Sequence, residues 1–186
     1  MTRYIIVDLE ATCWEREAGM EQREIIEIGA ICLEASAGPV SGEFDAFVRP
    51  VASPQLSDFC VQLTSIQQAD VDSADDFRVV FPRFVDWIGP EPFVLCAWGG
   101  YDLQQFRLDC RRHGVTLPAS FEHYLNLKQE FTRQTGIKPR GMTSALKAMH
   151  IPLEGRHHRA IDDVRNIVKL ARIILPQREQ QAAQQE

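Results

Sequence analysis

The chain has 186 residues, 45% hydrophobic and 25% charged, which fits one soluble domain and excludes collagen-like, disordered and disulfide-scaffold chains. Twenty Lys and Arg against 26 Asp and Glu leave a net charge of −6, so this is no general basic coat for nucleic acid, and any such contact must be local or metal-mediated. No apolar run nears the ~20 residues of a membrane span, and Cys13, Cys32, Cys60, Cys96 and Cys110 lie scattered without a C-x-x-C pair, so the expectation is a cytoplasmic chain with reduced thiols and no membrane contact.

In chain order, the β-branched runs Tyr4–Leu9 and Ile25–Leu33 predict buried strands, and Phe44–Val48 a third after the Gly38-Pro39 turn. Thr64-Ser65-Ile66-Gln67 has capping-box form and predicts the start of a short helix. Asp76–Ile88 has helical period despite Pro82, Phe93–Trp98 reads as a fourth strand, and Gly99-Gly100 leads into a helix over Leu103–His113. A weak fifth strand falls near Tyr124–Leu127, and two helices follow, Thr143–Met149 and Ala160–Leu175, the second stopped by Pro176. The expected organisation is one domain over residues 1–176 with a polar, frayed tail over 177–186. Strands first, then strand–helix alternation, indicate an α/β domain with a mixed sheet.

Four acids stand out. In Ile5-Ile6-Val7-Asp8-Leu9-Glu10, period-2 geometry puts Asp8 and Glu10 on one face of an otherwise apolar strand. Two carboxylates ~4 Å apart at an effective dielectric of ~20 repel by about 4 kcal/mol, so a shared proton, a basic partner or a divalent cation must offset them. Alone, the motif also fits a strand that ends at Val7 with both acids in water. Asp102 fits an ordinary N-cap, with Gln105 completing a D-x-x-Q box, although the glycines before it suit a backbone that a ligand approaches. Asp162 and Asp163 suit a helix N-terminus. Helical spacing separates them: Asp163 aligns with Ile167, Leu170 and Ile174 towards the sheet, Asp162 with Asn166 and Lys169 towards solvent. If one of the two reaches a site over the sheet, it is Asp163. His158, one turn before it, can overhang that site, whereas His157 reads as a solvated or hydrogen-bonded loop residue and His113, His123 and His150 as surface or packing residues.

The order Asp8-x-Glu10, Asp102, His158-x-x-x-x-Asp163 resembles the DEDDh family of 3′→5′ exonucleases, the DnaQ-like or RNase T-like group. Within it the chain is most similar to the histone-mRNA 3′-exonuclease (enhanced-RNAi) subfamily, through Asp8–Cys13, Glu24–Gly29, Gln55–Cys60, Leu63-Thr64 and His158–Asn166. One departure is Tyr101-Asp102 where that subfamily has Trp-Asp. The resemblance implies an RNase H-like fold with a five-stranded mixed sheet flanked by helices. It also implies two Mg²⁺ or Mn²⁺ ions on Asp8, Glu10, Asp102 and Asp163, about 3.5–4 Å apart, and His158 as general base for the attacking water. It further implies that Phe59 and Tyr101 bracket the terminal base, with Thr12, Cys13 and Thr64 near the 3′ nucleotide. Arg156, Arg159, Arg140 and Lys138 supply charge for the upstream backbone or are simply solvated. The expected activity releases nucleoside 5′-monophosphates from single-stranded 3′ ends, RNA before DNA, without an obligatory protein partner. A proofreading-type DNA exonuclease and a non-catalytic module that binds RNA ends are the alternatives.

Overall fold

The computed structural model describes residues 2–16 and 19–184. Strand β1 (Arg3–Ala11) is central. It pairs antiparallel with β2 (Ile25–Leu33), which pairs antiparallel with β3 (Val40–Phe47), and on its other side it runs parallel to β4 (Phe93–Ala97), itself parallel to β5 (Tyr124–Asn126). The five-stranded order is β3-β2-β1-β4-β5. A strand buried on both faces needs apolar residues in both registers, and β1 has them. Ile5, Val7 and Leu9 pack with Phe77, Phe81, Phe84 and Phe106 on one side of the sheet. Tyr4 and Ile6 pack with Leu127, Phe131, Val164 and Ile167 on the other. The second row continues past Ile6 as Asp8 and Glu10, so both acids sit on a covered face.

Helices α1 (Asp58–Thr64), α2 (Gln68–Asp72), α3 (Phe77–Ile88), α4 (Tyr101–His113), α5 (Leu127–Thr135), α6 (Met142–Ala148) and α7 (Ala160–Ala183) complete the chain. Two of them depart from the sequence expectations through local capping. Thr64 ends α1 rather than starting a helix. Ser57 caps α1 by accepting from the Cys60 N–H, Ser65 closes it at φ 66°, and the start of α2 falls to Gln67, whose N–H donates to Asp70. Asn126 likewise caps α5 directly off a three-residue strand, so the chain turns helical where the sequence shows no breaker.

Pro176 does not stop α7, and the tail is not frayed over its first seven residues: the helix runs to Ala183 with Pro176 inside it. An interior proline costs about 3 kcal/mol, and tertiary contacts offset it. Leu175 is fully buried, Glu179 accepts hydrogen bonds from the Tyr4 and Ser36 hydroxyls at 2.6 Å each, and Arg133 donates to Gln181. The last two residues of the expected tail lie outside the described residues.

The start of α7 is seated on β2 by two residues. A Cβ on Gly29 would overlap the backbone carbonyl carbon of Ala160 and the amide nitrogen of Ile161, so only glycine admits the helix there. Two positions along, Glu27 is fully buried; it accepts from the Ala160 N–H at 2.9 Å and from the Arg159 guanidinium at 2.8 Å. Gly29 and Glu27 pair across the sheet with Asp8 and Glu10. Gly29→Ala is therefore expected to destabilise the fold by about 1–3 kcal/mol, the range for overpacked sites, and to displace Asp163. Urea unfolding reads the first effect, and divalent-cation affinity reads the second.

Candidate active site

The parallel register between β1 and β4 ends at Ile6–Cys96, and β4 itself ends at Ala97. Beyond it Trp98-Gly99-Gly100 turns into α4, leaving β1 to run on alone on that side. The notch lies at the carboxyl ends of the parallel strands, where open α/β sheets bind ligands. Asp8 and Glu10 project into it from β1 and Asp163 from the first turn of α7; Asp102, in the first turn of α4, raises the Asp8 carboxyl but does not line the cavity. Carboxylate oxygens of Asp8, Glu10 and Asp163 lie within 4.8 Å of one another. They line a cavity of about 190 Å³ together with Trp98, Met142, His157 and His158.

Asp102 is not an N-cap. Gly100 holds that position, and the Gln105 amide donates to Asp109 and the Arg23 carbonyl, so no capping box forms. Asp102 is 5% exposed, and burial pushes its carboxyl up to about 7, with the N–H groups of Asp102 itself and Leu9 pulling the other way. Burial drives Asp8 well above the ordinary carboxylate range, reinforced by Asp102, Glu10 and Asp163. Burial, then Asp163 and Glu27, push Glu10 up to about 9. No Lys or Arg bonds to Asp8, Glu10, Asp102 or Asp163 among the described residues, and Arg159, four residues before Asp163, is committed to Glu27. A compact set of hard carboxylate oxygens without a lysine or arginine partner fits a divalent ion such as Mg²⁺ or Mn²⁺.

Raised carboxyls have a consequence for stability. The unfolded chain releases these protons near pH 4, whereas the folded site keeps them until about pH 7–9, so without metal the folded state binds more protons over that window. Stability in EDTA is therefore expected to be highest at the acid end and to fall as pH rises through it. Mg²⁺ favours the ionised carboxylates and should reverse the trend. Thermal melts of wild type and Glu10→Gln across pH, in EDTA and in Mg²⁺, check this; the variant should lose much of the EDTA slope.

The histidine loop closes the cavity. His158 has left-handed backbone (φ 66°), its N–H donates to Asp163 at 3.0 Å, and its ring stacks on His157 at 3.9 Å. Left-handed backbone at a non-glycine residue is the sort of strain that functional sites retain. Burial, then His157, pull the His158 imidazole below its ordinary value, against the Asp163 carboxylate. His157, set aside in the sequence, reaches the site: its Nδ1 lies 2.9 and 3.0 Å from the two Asp163 oxygens. Asp162 stays outside, holding the Arg156 N–H and the Arg165 guanidinium. Its neighbour Asn166, expected towards solvent, is instead fully buried and ties α7 to the Glu154 backbone.

The remaining sequence candidates divide. Phe59 is 38% exposed on α1 and is not a core aromatic. Tyr101 is half-buried beneath the Arg23 guanidinium, 5.9 Å from its ring centre, and burial raises its phenol to about 12. Cys13 is half-buried and packs against the cluster containing Cys60. Thr12 and Thr64 are buried: Thr12 accepts from the Glu24 N–H, and Thr64 donates to the Cys60 carbonyl and accepts from Ile66 N–H. The Thr64 proton is therefore committed inside the fold, whereas Thr12 keeps a hydroxyl proton to donate. Arg159, expected either to serve a nucleic-acid backbone or to be solvated, is instead held by Glu27 and lies over the Phe47 ring at 5.1 Å. The sequence signal for that pair was an acid inside Ile25-Ile26-Glu27-Ile28.

A sheet of this order carrying this set of acids and histidine is that of a DEDDh, RNase H-like exonuclease domain. The chain belongs to the RNase T exonuclease family, whose sequence profile matches residues 5–171. It is 35% identical over 90% of its length to ERI1 exoribonuclease 2 of Danio rerio, and 32% identical over 88% to the 3′-5′ exonuclease Snipper of Drosophila melanogaster. It spans 34% and 66% of those relatives. The nuclease domain of 3′hExo, a DEDDh family member bound to rAMP, superposes with a TM-score of 0.87 at 29% identity, covering 94% of this chain and 92% of that one. The resemblance read from the motifs, the fold it implied and the exonuclease class all hold.

Proposed function

We propose that this chain is a divalent-cation-dependent 3′→5′ exoribonuclease that removes nucleoside 5′-monophosphates one at a time from single-stranded 3′ ends in the cytoplasm. The observation that carries the reading is the meeting of Asp8, Glu10 and Asp163 within 4.8 Å in the notch beside β1, with His158 lining the same cavity and Asp102 close enough to raise the Asp8 carboxyl. Asp8, Glu10 and Asp163 would hold one ion, and Asp8 with Asp102 would serve a second. Such a pair of ions supplies positive charge to the attacking and leaving oxygens of a phosphodiester.

The chain's own residues do the rest. His158, neutral at physiological pH because its imidazole is pulled down, accepts the proton of the water that attacks the last phosphodiester. The phosphorus–3′-oxygen bond breaks, so the terminal residue leaves as a 5′-monophosphate and the shortened strand keeps its 3′-oxygen, which takes up a proton. Phe59 and Tyr101 stack on the terminal base, worth about 1–3 kcal/mol per base and indifferent to its identity. Cys13 and the backbone around the buried Thr12 and Thr64 shape the space for the 3′ nucleotide. RNA is favoured over DNA because a relative at 35% identity is named an exoribonuclease and the 3′hExo nuclease domain binds rAMP. Chromatography of the released nucleotides, with ribo- and deoxyribo-oligonucleotides in competition, tests this. Nucleoside 5′-monophosphates drawn mainly from the RNA are expected; 3′-monophosphates, or preference for the DNA, would contradict it.

A further inference from the structure

A second cavity, of about 540 Å³, opens beside the catalytic one and has no role in the site described above. Its walls include Gly99 and Gly100 from the turn after β4, Asn126, Lys128 and Gln129 from the start of α5, and Lys138 from the loop before α6. Residues next to one another in sequence line the two cavities at two places. Trp98 lines the catalytic cavity and the next two residues line this one; Met142 lines the catalytic cavity three residues after Pro139, which lines this one. The shared turn is fixed, since the Tyr124 hydroxyl donates to the Gly99 carbonyl. The volume lies within the range of about 300–1,000 Å³ that takes small-molecule-sized groups, and a nucleotide is such a group.

Charge distinguishes this groove from the rest of an acidic molecule. Lys128 and Lys138, the cations in its walls, form no ion pair with a carboxylate among the described residues, whereas most of the other cations on the helices do. The Lys128 ammonium is positioned by donating to the Arg140 carbonyl at 2.8 Å, and Lys138 is exposed. The acid nearest in sequence, Glu130, is occupied by Arg133 and Gln134. Unpaired lysines beside a fixed glycine turn suit a phosphodiester backbone and not a neutral ligand.

We propose that this groove holds the strand upstream of the scissile bond, which passes from the acids across Gly99-Gly100 with its phosphates facing Lys128 and Lys138. The inference rests on the exonuclease reading, because only a strand that ends at the acids would bring its upstream phosphates to these lysines. It assigns to Lys138 a role the sequence left open and moves that role away from Arg159.

The test is anisotropy of a fluorescent oligo(U) on the full chain, with Ca²⁺ in place of Mg²⁺, across about 50–200 mM salt. On a single strand, each phosphate deprived of its cation lowers the slope of log affinity against log salt by about 0.7. Lys138→Ala should therefore lower the slope by about 0.7, and Lys128→Ala with Lys138→Ala by about 1.4. Lys128→Arg with Lys138→Arg should keep the wild-type slope, which separates removal of charge from a disturbed loop. Slopes unchanged in Lys138→Ala and in Lys128→Ala with Lys138→Ala overturn the groove. Nucleotide release by the wild type in Mg²⁺ reads the activity separately: lysine-dependent slopes without release would keep the groove and sink the exonuclease.

Discussion

Asp8→Asn and Asp163→Asn are each expected to cut nucleotide release by at least about 1,000-fold, in line with the loss of a principal electrostatic element of an active site. The informative feature is the stability that goes with it. Asp8 is buried among Asp102, Glu10, Asp163 and Glu27, and each of these drives its carboxyl upward. Replacing it with a neutral isostere removes a like charge that has no cation beside it. In EDTA, Asp8→Asn should melt higher than wild type, by about 2–4 °C per kcal/mol relieved in a domain of this size. In Mg²⁺ the order should invert, because only the wild type gains from binding the ion. A structural acid behaves in the opposite way: its removal destabilises in either buffer. Asp8→Asn that melts lower in EDTA would show that the acid is paired inside the fold and not held for a metal.

His158→Ala should lower turnover by about 100–10,000-fold, the usual range for a general base, and leave Mg²⁺ affinity close to wild type. His157→Ala should keep turnover within a few-fold. The two rings stack 3.9 Å apart, yet they differ in what they address. His157 directs Nδ1 onto both oxygens of Asp163, so an ion there competes with it. His158 gives only its backbone N–H to Asp163, which leaves its ring free for water. The acid limb of the rate–pH profile should fall below the ordinary histidine value of 6.5, because burial favours neutral imidazole, and it should change in His158→Ala. Steady-state rates with a labelled RNA, beside calorimetric Mg²⁺ titration, check both variants. Loss of metal affinity in His158→Ala would make that residue a ligand and not a base.

The parts of this site that follow from short-range geometry were legible in the sequence. Period 2 placed Asp8 and Glu10 on one face, and period 3.6 chose Asp163 over Asp162, because both rules need only the local backbone. Features that depend on a distant partner were not legible. Glu27 and Arg159 are 132 residues apart, and nothing local tells that the arginine is held by a buried acid. Asn166 looked solvent-facing by helical phase, but the loop at Glu154 covers it. Pro176 carried a correct local cost that Glu179, bonded to Tyr4 and Ser36, outweighs. Asp102 had the composition of a cap, and the glycine before it took that position because α4 begins two residues sooner than its apolar period suggests. The family resemblance succeeded where these failed because it carries the spacing of the whole set at once.

The most direct measurement is a time course of single-stranded RNA labelled at its 5′ end, incubated with the full chain in Mg²⁺ or in EDTA and resolved on a sequencing gel. A ladder that shortens one nucleotide at a time in Mg²⁺, absent in EDTA and absent in Asp163→Asn, is the predicted result. Immediate release of the labelled 5′ nucleotide, or a ladder that persists in EDTA, would contradict the account.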